Sequence, residues 1–462
     1  MRFFIDPFGC VKNQVDAETM MALLGGAGWS SAEDPGDADL IIINSCGFIE
    51  SAKQESINAV LGWRKRYPDK KILLAGCLAQ RYAKELAESL PEADLLFGNA
   101  DLGGIVEAAA RALGVKADAA AIRNAPGKGD SGAGRTAGRR PLLSLPGSAY
   151  VKINEGCNNR CTFCSIPLIR GNLRSRSIPD VLSECRELLG RGIRELCLIG
   201  QDIGSYGKDF AGGGAAAESL LQGSSLPGSL LPDLLEALSA LEGDFWVRLL
   251  YIHPDNFPLP ILDIMERDKR FLPYFDLPFQ HGSEKILAAM NRRGNADTYL
   301  SLIETIRSRL PDAVLRTTFL LGFPGETEED FQALLDFQDK ARLDWAGCFA
   351  YSREEDTPAY SMKNRVPKKL ATERKRIVEE QQISISEKQM DRFVGRELDV
   401  LIEEKFEQTA EEDGLYLGRL YCQAPEVDGA TVISGGDLTP GAFFRGRVIA
   451  RSGVDLELVR IP

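Results

Sequence analysis

The sequence lacks long hydrophobic runs, is poor in histidine and carries no excess of basic charge. Among its 462 residues the apolar runs, such as 40–43 and 319–321, are far shorter than the ~20 residues that a membrane-spanning helix needs. Two histidines, His253 and His281, are too few for a histidine-rich zinc site, so any metal is expected on thiolate ligands. A net charge of −12 is not the basic footprint that nucleic-acid-binding proteins usually show. The sequence therefore predicts neither a membrane protein nor an evident nucleic-acid-binding protein.

Cysteine is also scarce, with ten in the whole chain, and this excludes a disulfide scaffold. Residues 1–6 are predicted as a strand and lack the apolar core and the cleavage site of an export signal. We therefore expect a cytoplasmic protein whose cysteines are thiols or metal ligands.

The first 113 residues alternate short apolar runs with helical patterns. Strands are predicted at 2–6, 39–44 and 71–75, and helices at 17–24, 51–66 and 79–89. This alternation is typical of βαβ units, so it predicts an α/β domain with a parallel sheet over 1–113. Residues 114–146 are rich in Gly, Ala and Arg and are predicted to be a flexible linker.

A second α/β region is predicted over 147–366. Its six strand candidates are 149–153, 196–199, 246–251, 274–277, 314–321 and 346–351. Helical patterns between them favour a partial (β/α)6 barrel, with 207–232 as a low-complexity insertion. A long charged helix is predicted over 367–392. Five short strands after it, at 398–402, 415–420, 430–433, 443–450 and 456–461, indicate a small antiparallel β-barrel over 393–462.

The strongest chemical signal is the triplet Cys157, Cys161 and Cys164, which follows a predicted strand. Three thiolates at this spacing can wrap one four-iron cluster and leave one iron without a protein ligand. An open iron is what a metal site needs in order to bind a substrate. A structural zinc site is the alternative, but zinc takes a fourth ligand, and no histidine or second cysteine pair lies nearby in the sequence.

A second set consists of Cys10, Cys46 and Cys77, each a few residues beyond a predicted strand and each beside a glycine. The carboxyl ends of parallel strands share one edge of a sheet, so topology is expected to bring the three together as ligands of a second cluster. The alternative is three unrelated buried thiols. The other four cysteines fall within predicted helices or strands and are interpreted as structural: Cys185, Cys197, Cys348 and Cys422.

The triplet, with the aromatic Phe163 before its last cysteine, resembles that of the radical S-adenosylmethionine (SAM) superfamily. A three-cysteine α/β domain, a radical SAM core and a small C-terminal barrel of the TRAM type are together similar to the methylthiotransferases. The stretches that carry this likeness are 9–13, 155–158, 277–283 and 322–331.

This resemblance implies two [4Fe-4S] clusters and two SAM molecules per turnover. The cluster on Cys157, Cys161 and Cys164 would cleave SAM to a 5′-deoxyadenosyl radical, and the cluster on Cys10, Cys46 and Cys77 would hold or deliver sulfur. The second SAM would supply the methyl group. The reaction also needs an electron donor, such as flavodoxin or ferredoxin, and a sulfur source.

Within the family, five further stretches resemble the branch that methylthiolates the β-carbon of an aspartate in protein twelve of the small ribosomal subunit: 248–251, 272–278, 341–344, 347–352 and 424–430. The chain departs from the family at Pro7, Phe8 and Ser177. None of these departures removes a cysteine ligand.

Candidate SAM contacts lie at two strand ends. Gly200 and Gln201 end a predicted strand where related enzymes hold the SAM amino group, while Gly322, Gly325 and Glu326 follow another strand. A helix capped by Thr327 explains the second group equally well. Three more residues, Lys12, Asn13 and Asp16, are interpreted as the start of the first helix, with a substrate contact as the alternative. His281 is interpreted as a scaffold residue.

Two other functions stay open. One is the tRNA branch of the family, which acts on a modified adenosine beside the anticodon, and the other is a non-catalytic iron–sulfur electron carrier or RNA-binding adaptor. Residues 394–462 contain thirteen acidic and seven basic side chains, a net of −6, and tRNA phosphates favour the opposite sign. An electron carrier would give each cluster four protein ligands. The sequence therefore favours an enzyme that acts on a basic ribosomal protein, with tRNA not expected as substrate.

Overall fold

The computed structural model describes residues 1–116, 140–210, 230–406 and 414–461. Most of the predicted linker 114–146 and of the predicted insertion 207–232 lies outside the described residues, as do four of the acidic residues counted for the barrel. Within the described part of the chain, every helix is too short or too polar to span a lipid bilayer.

The N-terminal domain is built on five parallel strands in the order β2-β1-β3-β4-β5. The strands are β1 (Arg2–Pro7), β2 (Ser30–Ser31), β3 (Leu40–Ser45), β4 (Lys71–Gly76) and β5 (Leu95–Gly98), and the helices are α1 (Val11–Gly26), α2 (Glu50–Arg66), α3 (Cys77–Arg81), α4 (Ala83–Ser89) and α5 (Ile105–Leu113). Side chains of β3 alternate between two apolar cores, with Leu40 and Ile42 towards α1 and α5, and Ile41 and Ile43 towards α2 and α4. The predicted parallel sheet is confirmed.

Two helix boundaries differ from the prediction. The helix predicted over 79–89 is in fact two helices, α3 and α4, with a break at Tyr82, whose backbone (φ −120°, ψ 35°) is not helical. The helix predicted to start at 17 starts at Val11. Both α1 and α3 therefore begin beside a cysteine, directly after Cys10 and at Cys77.

The second domain contains six parallel strands whose order β13-β12-β11-β10-β9-β6 follows the chain. They are β6 (Ser148–Lys152), β9 (Glu195–Ile199), β10 (Trp246–Leu249), β11 (Phe271–Asp276), β12 (Val314–Leu321) and β13 (Trp345–Ala350); a short antiparallel pair is formed by β7 (Asn154–Glu155) and β8 (Arg174–Ser175). The helices are α6 (Ile166–Arg170), α7 (Ile178–Gly190), α8 (Leu231–Ser239), α9 (Ile261–Arg267), α10 (Glu284–Ala289), α11 (Ala296–Arg309) and α12 (Glu328–Ala341). The sheet does not close, since β6 and β13 are its two edges, and strands alternate with helices along the chain. The predicted partial barrel is confirmed.

The predicted long helix is α13 (Lys368–Met390), which packs along β13 and leads into a closed five-stranded barrel. The barrel strands are β14 (Glu397–Lys405), β15 (Leu415–Leu420), β16 (Thr431–Ser434), β17 (Phe443–Ser452) and β18 (Asp455–Arg460). The predicted small antiparallel barrel is confirmed: four of its five neighbouring pairs are antiparallel, and β16 and β18 run parallel. The reason is that five strands cannot alternate in direction all the way around a closed barrel, so at least one neighbouring pair must be parallel; here it is the pair in which β18 closes the barrel against β16.

The barrel is fixed to the second domain by a buried charge network. The guanidinium of Arg419 donates to Glu195 (2.6 Å) and to the hydroxyl of Ser148 (2.9 Å), and it also pairs with Glu403. Arg248 donates to the other oxygen of Glu195 at 2.7 Å. Although burial opposes ionisation, Arg419 and Arg248 lower the pKa of Glu195 to about 2. Two arginines thus balance two carboxylates across the interface.

Replacing Arg419 should loosen the barrel. Arg419→Met leaves Glu403 without its arginine in a buried site, and the loss of one partner of a buried pair costs about 3–5 kcal/mol. We expect a lower midpoint of urea unfolding, followed by tryptophan fluorescence. The matched control is Arg445→Met, because Arg445 pairs with Asp399 on the exposed surface and such pairs contribute about 0–1 kcal/mol. Equal midpoints for the two variants would show that the buried network does not hold the barrel in place.

Candidate active site

The two predicted sets of cysteines meet in one place. A cavity of about 570 Å³ lies between the N-terminal domain and the second domain, and all six of these thiols line it: Cys10, Cys46, Cys77, Cys157, Cys161 and Cys164. We call it the cysteine cavity. The other four cysteines are buried and are not among the described residues that line it.

The N-terminal set is gathered by the sheet. Cys46 directly follows β3, Cys77 directly follows β4, and Cys10 lies three residues after β1, so all three sit at the carboxyl edge of adjacent parallel strands. Gly9 has φ +90°, and a Cβ there would lie 2.9 Å from the Cβ of Cys46. Only glycine lets the chain turn so closely past the second cysteine.

The second set lies in one loop between β7 and α6. Its conformation is held by polar contacts: the side-chain amide of Asn159 donates to Asp202 at 2.8 Å, and the amide of Asn256 donates to the same oxygen at 2.8 Å. His253, which the sequence did not single out, lines the cavity with its Nε2 3.8 Å from the Cys161 Sγ. Burial and the nearby Arg292 lower the pKa of His253 to about 3, so it is neutral.

The donor chemistry fits clusters better than single ions. Within the described ranges, no three His, Cys, Asp or Glu side chains are close enough to hold one ion, whereas in a four-iron cluster each thiolate binds a different iron. Burial raises the pKa of Cys157 to about 11 and those of Cys77 and Cys164 to about 12. These groups are therefore thiols in the metal-free protein, and metal binding must release their protons.

A buried ionic cluster joins the two walls of the cavity. Arg170, on α6, donates to Glu155 (2.8 Å) of its own domain and to Asp16 (2.9 Å) on α1 of the N-terminal domain. Its Nη2 also lies 3.3 Å from the Cys77 Sγ. Lys152 completes the cluster by pairing with both Asp16 and Glu155. Although burial opposes the charged forms, these partners raise the pKa of Arg170 and lower that of Glu155.

Two cations in the cavity lack an ion-pair partner among the described residues. Arg292 is 7% exposed, and its Nε and one Nη have no hydrogen-bond partner within that part of the chain. Lys12 is 5% exposed, and its ammonium lies 2.8 Å from the centroid of the Tyr251 ring. Burial lowers the pKa of Lys12 to about 8. No sequence signal marks Arg292, since its burial depends on tertiary packing after α10.

The predicted SAM contacts divide into two groups. Phe163 and Gln201 line the cysteine cavity, whereas Gly200, Gly322, Gly325 and Glu326 are not among its described lining residues. A Cβ on Gly200 would collide with Asn154, and one on Gly322 would collide with Ala371 of α13, so packing explains both glycines.

The carboxylate of Glu326 is used within the scaffold. It accepts from the Gly322 backbone N–H (2.7 Å), pairs with Arg374 (2.7 Å) and lies 3.4 Å from the Nε2 of His281. The capping interpretation holds as well, since Thr327 and Asp330 form a reciprocal cap at the start of α12. A contact of these residues with SAM stays a prediction.

Comparison with known proteins gives three family matches. Residues 2–98 match a family described as Uncharacterized protein family UPF0004, residues 151–337 match the Radical SAM superfamily, and residues 394–461 match the TRAM domain. The radical S-adenosylmethionine methyltransferase TsrM from Kitasatospora setae, with tryptophan and a SAM analogue bound, has a similar fold. Its TM-score is 0.51 at 15% identity, covering 78% of this chain and 74% of that one.

Two curated relatives match along their whole length. The ribosomal protein uS12 methylthiotransferase RimO of Treponema denticola is 47% identical over 480 residues, covering 99% of this chain and 100% of the relative. The protein of the same name from Natranaerobius thermophilus is 38% identical, with 99% and 98% covered.

The raised thiol pKa values predict an order of alkylation in the metal-free protein. Thiolate is the reactive form, and at pH 8 a thiol of pKa about 12 is ionised in only about one molecule in 10⁴. We expect iodoacetamide to label the exposed Cys10 much faster than Cys77 or Cys164, and the rates of the latter two to rise about tenfold per pH unit. Peptide mass spectrometry of anaerobic, chelator-treated protein measures each site. Equal rates at the three sites would refute this account.

Proposed function

This chain belongs to the RimO family of methylthiotransferases, and we propose that it adds a methylthio group to the β-carbon of one aspartate in ribosomal protein uS12. The observation that carries the proposal is the meeting of two three-cysteine sets in one cavity, in a chain that matches RimO relatives from end to end. Each set offers three thiols rather than four, which fits clusters that keep one iron open to a ligand.

We further propose two [4Fe-4S] clusters, one on Cys157, Cys161 and Cys164 and the other on Cys10, Cys46 and Cys77. With SAM bound, the first cluster would cleave SAM reductively, the second would provide sulfur, and a second SAM would provide the methyl group. The chain's own task is to hold, orient and shield the reactants. Arg170, 3.3 Å from the Cys77 Sγ, offers a positive charge to the second set of thiolates.

SAM carries a carboxylate, and Arg292 is the residue we assign to it. A buried guanidinium without an anion is costly, so an anionic ligand is expected at this position. Arg292 is close enough to lower the pKa of Cys161 against the effect of burial, which places it on the side of the radical SAM cysteines. Phe163 and Gln201 line the same cavity and are proposed as further contacts.

The lining is suited to excluding water from reactive species. Apolar side chains from both domains form much of it, among them Phe48 and Ile49 after β3, Ile169 on α6 and Phe349 on β13. Phe349 is 50% exposed and also lines a smaller neighbouring cavity of about 210 Å³. We propose that the substrate loop enters past Phe349 and displaces water from the reacting carbon.

The rival tRNA substrate is disfavoured by the surface of the barrel. Three arginines of the barrel are the candidates for an RNA contact on this surface: Arg445, Arg447 and Arg451. In the structure each of these arginines pairs with a carboxylate: Asp399, Glu397 and Asp391, respectively. These carboxylates offset the positive charge that would otherwise attract phosphates. An acidic barrel instead favours a basic ribosomal protein as partner.

Three features of the proposal concern the cell rather than the fold. We propose that the chain acts in the cytoplasm, where ribosomal proteins and reduced thiols coexist. It would take electrons from a donor such as flavodoxin or ferredoxin, and sulfur from a separate source.

The two-cluster proposal predicts the iron content. Anaerobically reconstituted protein should bind about eight irons per chain. Replacing Cys157, Cys161 and Cys164 with Ala should remove about half of them, and replacing Cys10, Cys46 and Cys77 should remove the other half. The matched control replaces Cys185, Cys348 and Cys422, which do not line the cavity, with Ser. A variant of the N-terminal triad that keeps all its iron would disprove the second cluster.

The substrate proposal is tested by supplying both candidates. With SAM, reductant and sulfide, the reconstituted enzyme should add a methylthio group to uS12, or to a peptide copied from its loop, and leave tRNA unmodified. Mass spectrometry of the peptide and of nucleosides reports both products, and Cys157→Ala is the inactive control. Methylthioadenosine in tRNA without a mass gain on the peptide would favour the tRNA branch, and no SAM cleavage at all would favour a non-catalytic iron–sulfur protein.

A further inference from the structure

The charge of the cysteine cavity has one sign. Four of its described lining residues carry a guanidinium or an ammonium group: Lys12, Arg160, Arg170 and Arg292. No Asp or Glu is among the described lining residues. Arg170 is balanced by Asp16 and Glu155, and Arg160 donates to the side chain of Asn172. Lys12 and Arg292 are the two buried cations that remain for ligands.

Lys12 is held in place but makes no ion pair or hydrogen bond with any described residue. Its ammonium rests against the ring of Tyr251, whose backbone has φ +66°. The two carboxylates that act on its charge are paired elsewhere, since Asp276 pairs with Arg316 (3.2 Å) and Glu155 is shared by Arg170 (2.8 Å) and Lys152 (2.7 Å). The charge is therefore presented to the cavity.

The position of Lys12 is unfavourable in the absence of an anion. It is the second residue of α1, and the N-terminus of a helix disfavours cations because unpaired backbone N–H groups point there. Burial of an unpaired ammonium adds a desolvation cost. A place at the start of a helix therefore does not explain why this residue is lysine. An anionic ligand in the cavity would offset both the unfavourable helix position and the desolvation cost.

We propose that Lys12 binds the side-chain carboxylate of the substrate aspartate. This inference rests on the proposed function. The carboxylate of that residue is one bond from the β-carbon, so anchoring it fixes the carbon that reacts. Lys12 is two residues from Cys10, on the side of the cavity whose cysteines are proposed to deliver sulfur, whereas Arg292 lies by Cys161 and serves the carboxylate of SAM.

The assignment makes Lys12 a specificity residue. A charge-assisted hydrogen bond forms with aspartate, whereas asparagine is neutral and can offer the ammonium only its carbonyl oxygen, which accepts a weaker hydrogen bond. Selection of aspartate over asparagine should thus depend on Lys12, whereas the binding of the clusters should not depend on it.

The experiment measures binding as well as turnover. Two labelled peptides copied from the uS12 loop, one with Asp and one with Asn at the target position, are titrated into the reconstituted enzyme with SAM. We expect the native enzyme to prefer the Asp peptide by about tenfold or more. Lys12→Met should lose that preference by weakening only the Asp peptide, and Lys12→Arg should restore part of it. The matched control is Lys375→Met, a half-buried lysine paired with Glu379 on α13, outside the cavity.

The outcomes separate this inference from the proposed function. If the native enzyme methylthiolates the Asp peptide and Lys12→Met binds it equally well, the inference is overturned and the function stands. If the native enzyme neither binds nor modifies the peptide, both are overturned. Iron is measured on every variant: loss of iron in Lys12→Met with an unchanged Asp preference would assign Lys12 to the cluster and also overturn the inference.

Discussion

The site depends on the ion pairs that Arg170 makes across the boundary between two domains. One guanidinium contacts Asp16 of the N-terminal domain, Glu155 of the second domain and the Sγ of Cys77. Because Arg170 ends the helix that follows the Cys157–Cys164 loop, these contacts fix that loop against the sheet edge that carries the other three cysteines. Removing one partner would leave buried charges unpaired, which is far costlier than losing a surface pair.

Two different local structures supply the thiols. The first set comes from three strand ends, where the separation along the chain is large and the sheet does the gathering. The second set comes from one loop of eight residues, where spacing alone brings the thiols together. A rigid sheet edge and a compact loop leave a cavity between them that is open to a substrate yet lined largely by apolar side chains. Such a cavity can admit a loop and still exclude water.

The two parallel sheets and the meeting of the cysteines were predictable from the sequence, because both follow from patterns within short segments. Strand and helix alternation predicted both parallel sheets, and strand ends predicted where Cys10, Cys46 and Cys77 would meet. Closure of five strands requires one parallel pair, but which two strands form it was not predictable, because strand order in a barrel is not written in any one segment. The partners of Arg170, and the lack of partners for Arg292 among the described residues, could not be predicted from the sequence either. Each depends on which side chains tertiary packing brings near. Glycines at 200 and 322 pointed to a ligand, but their neighbours show that they allow close packing.

The placement of carboxylates explains how the cavity stays positive in a protein of net charge −12. Three acidic groups beside it are each paired with an arginine: Asp16 and Glu155 with Arg170, and Asp276 with Arg316. Asp202 accepts hydrogen bonds from the side-chain amides of Asn159 and Asn256. A carboxylate that is already paired with an arginine does not compete with ligands for the cations that face the cavity. The thiolate-bound clusters, the SAM carboxylate and the aspartate side chain that we propose for this cavity are all anionic, so holding them together requires positive charge from its own lining. The buried ion pairs that join the domains therefore also leave Lys12 and Arg292 free for ligands.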